Sequence, residues 1–315
     1  MELSRTRKIS YVIIGLLLVF LPTFVKSIYV MHIINMVLIY TVIISGMNII
    51  MGYCGQFMLA QAAFYGIGAY TSAILATRLG LSFWICLPSA VIVTCVAGLL
   101  TSLPCLKVRG HYLAIVSLGL AVVIHEAMVN LVDLTNGPGG IIRIPAPFLF
   151  GMSLDTDHRY YHLLLVLTIL SILFVKLILE SRVGRAFIAI RESYTAAEAM
   201  GINHRFYKII GFMLSASYAG LAGSLYAHLV KFISPDSFGL EELLLEIAML
   251  LVGGIGTLAG PVLGATVLSF GYEYLRALKG LQMVVYGLMI LLSVIFIPQG
   301  LVTIKDRVLA FRRGS

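Results

Sequence analysis

The residues most able to do chemistry in this chain sit where chemistry is costly, inside apolar runs. His125 and Glu126 open like the H-E-x-x-H helix of a zinc protease, but the second histidine would fall at Val129, so that reading fails. Neither a G-x-S-x-G elbow nor a G-x-x-x-x-G-K-[ST] loop occurs, so the sequence offers no serine nucleophile of that class and no phosphate cradle of its own. Glu126, Glu246 and Glu273 lie in or at the edges of apolar segments, where acids commonly serve function. For Glu246 and Glu273 the expectation is a carboxylate near an interface, paired with a polar neighbour. Glu126 is better placed for function, although His125 beside it faces elsewhere on a helix. Cys54, Cys86, Cys95 and Cys105 show no C-x-x-C spacing and read as packing residues.

More informative are the groups that interrupt the apolar runs. The stretch GYCGQFMLAQAAFYGIGAY (52–70) places Gly52, Gly55, Gln56, Gln61, Gly66, Gly68 and Tyr70 where leucine would be expected. A broken helix is tolerated in lipid only where protein or a watery cavity satisfies the freed backbone groups. The stretch therefore reads as the lining of a translocation pathway, with close helix packing as the plainer account of Gly66 and Gly68. A second break, LVGGIGTLAGPVLGA (251–265), carries Gly253, Gly254, Gly256 and Gly260. Gly256, Gly260 and Gly264 recur every four residues as one small face, and Pro261 is expected to end or kink a helix there. Ala216, Gly220 and Ser224, with Ala219, Gly223 and Ala227, form another small-residue face that reads as helix packing.

The elements that carry these residues are membrane-spanning. Hydrophobic residues make up 60% of the chain, charged residues 11%, and the mean hydropathy is +1.01. Soluble domains carry about 25% charged residues. About ten apolar segments are read, at 10–25, 29–51, 62–77, 82–103, 112–133, 160–180, 208–230, 241–255, 261–277 and 281–297, each compared with the roughly 20 residues that cross a bilayer. The fold class expected is an all-α polytopic membrane protein, a single transmembrane domain over 1–315, in which some helices are interrupted by glycine. A cleaved signal peptide is not expected, because the basic-then-apolar start lacks an A-x-A-like exit.

The net charge of +8 is a topology signal rather than a nucleic-acid face. Arg5, Arg7 and Lys8 precede the first span, Arg182, Arg185, Arg191, Arg205 and Lys208 crowd one connection, and Lys305, Arg307, Arg312 and Arg313 form the tail. Acidic residues concentrate in other loops. Basic loops stay cytoplasmic, so both termini and loop 181–207 are expected inside, and loop 134–159 outside. The outer loop contains several Pro and Gly residues and could form a short ordered cap. In the inner loop, Arg185 to Met200 is expected as one helix, with Phe187, Ile190 and Tyr194 on one face and Gly201 as its C-terminal cap.

Within that loop, TAAEAMG (195–201) resembles the AA-x-x-x-G core through which importer permeases contact their ATPases. Matches over about 46 to 301 extend the likeness: GMNIIMGYCGQ (46–56), AAFYGIGAYTSAIL (62–75), VRGHYLAIVSLG (108–119), LTNGPGGI (134–141), GRAFIAIRES (184–193), SASYAGLAGSLYAH (215–228), ISPDSF (233–238), GGIGTLAGPVLGA (253–265) and PQGL (298–301). The chain resembles the LivM-type permeases of branched-chain amino-acid ABC importers. It departs from that pattern at Thr195, where many members have Glu, at the absent downstream Leu-Pro, and at MLAQ (58–61).

The resemblance implies a sister permease subunit (LivH-like), two cytoplasmic ABC ATPase subunits, an extracytoplasmic solute-binding protein and a bacterial inner-membrane location. No cofactor is expected in this chain, ATP and Mg being held by the ATPases. The coupling helix would comprise Arg185, Phe187, Ile190, Arg191, Glu192, Tyr194, Ala196, Ala197 and Gly201, and bulky substitution of Ala197 or Gly201 should uncouple transport. Urea, short amides and small aromatic acids remain open as solutes, and an autonomous ion- or proton-coupled transporter is the rival from another class.

Overall fold

The computed structural model describes residues 19–108, 110–149 and 151–275, with Gly287, Leu288, Leu291, Gly300 and Leu301. The expected first and last spans, and the basic residues at either terminus, lie largely or wholly outside the described residues.

Helix α1, Ile28–Met47, is capped by the Ser27 hydroxyl and is the central pillar, buried along most of its length. It runs on into a π-helical turn, Asn48–Tyr53, and the chain then returns through 54–60 without regular structure. Helices α2, Gln61–Arg78, and α3, Phe83–Cys105, follow, then α4, His111–Asn130, and a single turn α5, Val132–Thr135. Next come α6, Asp157–Glu180, the short helices α7, Arg182–Glu192, and α8, Tyr194–Ala199, and the long α9, His204–Val230. Helices α10, Leu240–Gly253, and α11, Gly260–Leu275, close the described bundle.

Five helices among the described residues are long and apolar enough to cross a membrane: α1 with its π turn, α3, α4, α6 and α9. The expected spans at 62–77, 241–255 and 261–277 appear as the shorter helices α2, α10 and α11. Burial differs sharply between them. α1 is enclosed, whereas α4 presents Tyr112, Ile115, Val122 and Val123 outward, as a helix facing lipid or another subunit would.

Small residues let the inner helices approach closely. A Cβ on Gly68 of α2 would lie 2.5 Å from the Cα of Gly220 in α9, and one on Gly98 of α3 would lie 2.6 Å from the Cβ of Ala216. Gly220 itself sits against Thr94 of α3. The small-residue face of α9 is therefore the seam against α2 and α3, as its spacing predicts. The amino group of Lys208, at the start of α9, donates to the carbonyls of Cys105 (2.6 Å) and Val108 (2.9 Å), placing a cation where the C-terminal dipole of α3 favours it.

At the opposite end, loop 134–159 and residues 231–239 form an ordered cap. Two-residue strands pair antiparallel: β1, Ile141–Ile142, with β4, Phe232–Ile233, and β2, Phe148–Leu149, with β3, Met152–Ser153. Inside the bundle Ser72 Oγ lies 2.8 Å from Ser224 Oγ and 3.0 Å from His228 Nε2, and His228 Nδ1 donates to Pro145 O at 2.7 Å. This buried chain ties α2 and α9 to the cap. Among the described residues all four cysteines are free, with Cys54, Cys86 and Cys105 buried, in keeping with packing roles.

Candidate coupling and gate site

Loop 181–207 folds as two helices rather than the one that its composition predicts. Ser181 caps α7 by accepting from Val183 N (3.1 Å), and Ser193 adopts an extended conformation and caps α8 by accepting from Ala196 N (3.3 Å). Two serines with N-cap chemistry outweigh the helix propensity of the residues between them. Gly201 ends the second helix at φ +78°, with Ile202 N donating to Ala197 O, so the expected C-terminal cap is present.

The apolar stripe of this loop faces the bundle. Ala186, Phe187 and Ile190 are buried, and Phe187 meets the Tyr207 ring edge-on at 6.3 Å. Tyr194 lies on the other side of the Ser193 break and stacks near His204 instead. Ala197 is also buried against its own chain. The outward surface includes Arg182, Arg185, Ile188, Arg191, Glu192, Thr195, Ala196, Glu198, Ala199 and Met200, the last 82% exposed.

Arg191 reaches inward from α7 and joins both glycine breaks. Its Nη1 donates to Gly52 O at 2.5 Å, its stem lies over Gly55, and its guanidinium covers Gly256. A Cβ at Gly256 would stand 2.6 Å from Nη1, and Gly256 adopts φ +74°, so glycine is required there on two counts. Asn48 completes the joint. Its Nδ2 donates to Thr257 O (2.8 Å) and its Oδ1 accepts from Gly256 N (2.8 Å). Thr257 Oγ1 in turn donates to Gly254 O and accepts from Gly260 N. One arginine and one asparagine thus satisfy backbone groups that the π turn of α1 and the α10–α11 turn would otherwise leave unpaired. Beside this joint lies a cleft of about 430 Å³ bordered by Gly55, Gln56, His111, Arg191, Glu192 and Tyr194.

The remaining pathway candidates divide into three groups. Gln61 is fully buried, donating to Ile43 O (3.1 Å) and accepting from Ser215 Oγ (2.7 Å), which locks α1, α2 and α9 together. Gly253, Gly260 and Gly264 bring α10 and α11 into backbone contact. Gly256 is not on that face, as the four-residue spacing suggests, but in the turn before it. Pro261 begins α11 rather than kinking it, in keeping with the tolerance of proline in a first helical turn. Gly66 and Gly68 admit Met128, Phe238 and Gly220, while the Tyr70 ring packs 6.0 Å from Phe238.

Glu126 and Glu246 differ from expectation, and Glu273 agrees with it. Glu126 is exposed on α4 and accepts from Asn130 Nδ2 at 3.2 Å, one turn away, so it does not enter this site. Glu273 meets the Tyr29 hydroxyl, as an interfacial carboxylate would. Glu246 is fully buried. Sequence reasoning passed over Asn48, whose presence in an apolar run was the available signal.

A bundle in which five helices among the described residues are long and apolar enough to cross a membrane, with an amphipathic loop joined to two glycine breaks, defines a multi-pass helical membrane protein. The chain belongs to the family of branched-chain amino acid transport system permease components, whose family model matches residues 29–294. It is 34% identical, over 89% of its length and 72% of the relative's, to the high-affinity branched-chain amino acid transport system permease protein LivM of Salmonella typhimurium. The Escherichia coli protein of that name is 33% identical over the same shares. A shorter match, 29% identical over 42% of this chain, links it to the autoinducer 2 import system permease protein LsrC of Salmonella typhi. No solved structure matches. The family is one of transport permeases rather than enzymes, and its members work within importer complexes.

Proposed function

We propose that this chain is a permease subunit of an ABC importer that carries branched-chain amino acids, leucine, isoleucine and valine, across the bacterial inner membrane. Its partners in this reading are a sister permease, two cytoplasmic ATPases that bind ATP and Mg, and an extracytoplasmic solute-binding protein. The loop 181–207 faces the cytoplasm, with both termini, and loop 134–159 faces outward, as the distribution of basic residues favours.

The observation that carries this reading is the bond from Arg191 to Gly52 O, reinforced by the contact of Arg191 with Gly256. A push on the exposed surface of α7 and α8 is delivered through the Arg191 side chain to the π turn of α1 and to the α10–α11 turn together. Both turns depart from regular α-helix, so they are segments that can change conformation at modest cost. ATPase closure would move α7, Arg191 would carry the movement, and Asn48 would keep the two turns in step.

The branched-chain assignment draws on the relatives' names and on apolar walls suited to an aliphatic side chain. Reconstitution of the full complex in proteoliposomes tests it: ATP-dependent leucine uptake that requires the binding protein is the expected result. Uptake by the isolated chain driven by a proton gradient would refute it.

A further inference from the structure

Helix α10 carries a polar cluster that the coupling joint does not use. Glu242 and Glu246 stand one turn apart on the same helical face. Glu242 lies in the first turn of α10, next to the cap, and Glu246 lies midway along the helix. Glu246 is fully buried, and neither of its carboxylate oxygens has a hydrogen-bond partner. Glu242 Oε1 is equally buried and unpartnered, while its Oε2 accepts from the Tyr40 hydroxyl at 3.4 Å. Among the described residues no lysine, arginine or histidine pairs with either acid.

The surroundings add an independent signal. The Tyr65 hydroxyl is buried without a partner and lies within electrostatic reach of Tyr40, Glu242 and Glu246. Its ring is one side of an aromatic wall, with ring centroids 5.4 Å from Tyr226 and 5.2 Å from Phe238. Two clefts border this region. One, of about 190 Å³, is lined by Phe238, Leu240 and Leu243, and the other, of about 280 Å³, by Tyr40, Leu245 and Ser269.

Two neighbouring carboxylates buried without partners are opposed by desolvation and mutual repulsion unless they take up protons or a cation, and a cation that carries N–H donors would meet both demands. Three unpartnered carboxylate oxygens face that need, and a primary ammonium has three N–H donors to meet them. An aromatic wall suits an ammonium attached to an apolar body better than a strongly hydrated metal ion. We propose that Glu242 and Glu246, with the Tyr65 hydroxyl, form a membrane-embedded site for a primary ammonium group. That this ammonium is the amino group of the passing solute rests on the transport reading above.

Titration calorimetry on the complete complex in nanodiscs tests the site with isopentylammonium as probe. Isocaproate, with a similar branched body but the opposite charge, and sodium chloride are the controls. The wild-type complex is expected to bind isopentylammonium and not isocaproate. Glu246→Gln should weaken binding by about tenfold or more, because it removes a charge-assisted partner. Tyr65→Phe, which keeps the ring, guards against misfolding of the glutamate variant and is expected to weaken binding by about threefold. Unchanged binding in both variants, equal binding of isocaproate, or displacement of the probe by millimolar sodium would each overturn the site. Leucine uptake without isopentylammonium binding overturns the site and leaves the transport reading. Probe binding without leucine uptake does the reverse.

Discussion

The contact between Arg191 and Gly256 can be tested as a thermodynamic cycle. Gly256→Ala adds a methyl group 2.6 Å from Arg191 Nη1, so the guanidinium must leave Gly52 O. A side chain at φ +74° also costs about 1 kcal/mol in backbone strain. A hydrogen bond from a charged donor is worth about 1.5 kcal/mol at the low end of its range, which suits a guanidinium partly in solvent. Gly256→Ala should therefore cost about 2.5 kcal/mol, the two contributions together. Arg191→Ala removes the bond alone and should cost about 1.5 kcal/mol. In the double variant the methyl group no longer displaces a guanidinium, so the bond is lost only once. The total should be about 2.5 rather than about 4 kcal/mol, a coupling of about 1.5 kcal/mol. Unfolding of the purified permease pair in mixed micelles measures each corner of the cycle. Leucine uptake in proteoliposomes should follow the same pattern, the double variant being no slower than Gly256→Ala alone. Additivity within about 0.5 kcal/mol would show that Arg191 and Gly256 do not share a joint, and would remove the coupling route argued from them.

Other expectations follow from single positions. Gly68→Val should abolish assembly of the permease, seen as loss of a monodisperse peak, because its Cβ lies 2.5 Å from backbone that cannot yield. Gly119→Ala meets nothing within 4 Å and should raise helix stability by up to about 1 kcal/mol in thermal unfolding. Gln61→Leu strands the Ser215 hydroxyl in the core and should cost about 1–3 kcal/mol, again read by unfolding in micelles. Met200→Glu, on the outward surface of the loop, should lower co-purification of the ATPases without changing thermal stability. By contrast, Ala197→Trp should lower stability as well, since Ala197 is buried against its own chain.

Much of the candidate site could be read from residue types alone. The glycine breaks, the amphipathic loop and the small-residue face of α9 are local patterns, and local patterns survive in one dimension. The two serines that split the loop into α7 and α8 were also visible, but cap chemistry competes with propensity over only a residue or two, and propensity over the whole window hid it. Glu246 was misjudged because depth in a bundle depends on which helices enclose α10, and the hydropathy of the segment carries no record of that.

By itself, then, the chain's composition determined a helical membrane protein, and its motifs pointed to the family. Only the tertiary structure decided that Arg191 meets Gly52, across 139 residues of sequence, and that Glu242, Glu246 and Tyr65 share one buried region. Periodicity and propensity act over a few residues, so they are written along the chain. Which side chain completes the hydrogen bonds of a distant break depends on how the helices pack, and that is fixed only when Gly68 and Gly220 bring their helices into contact.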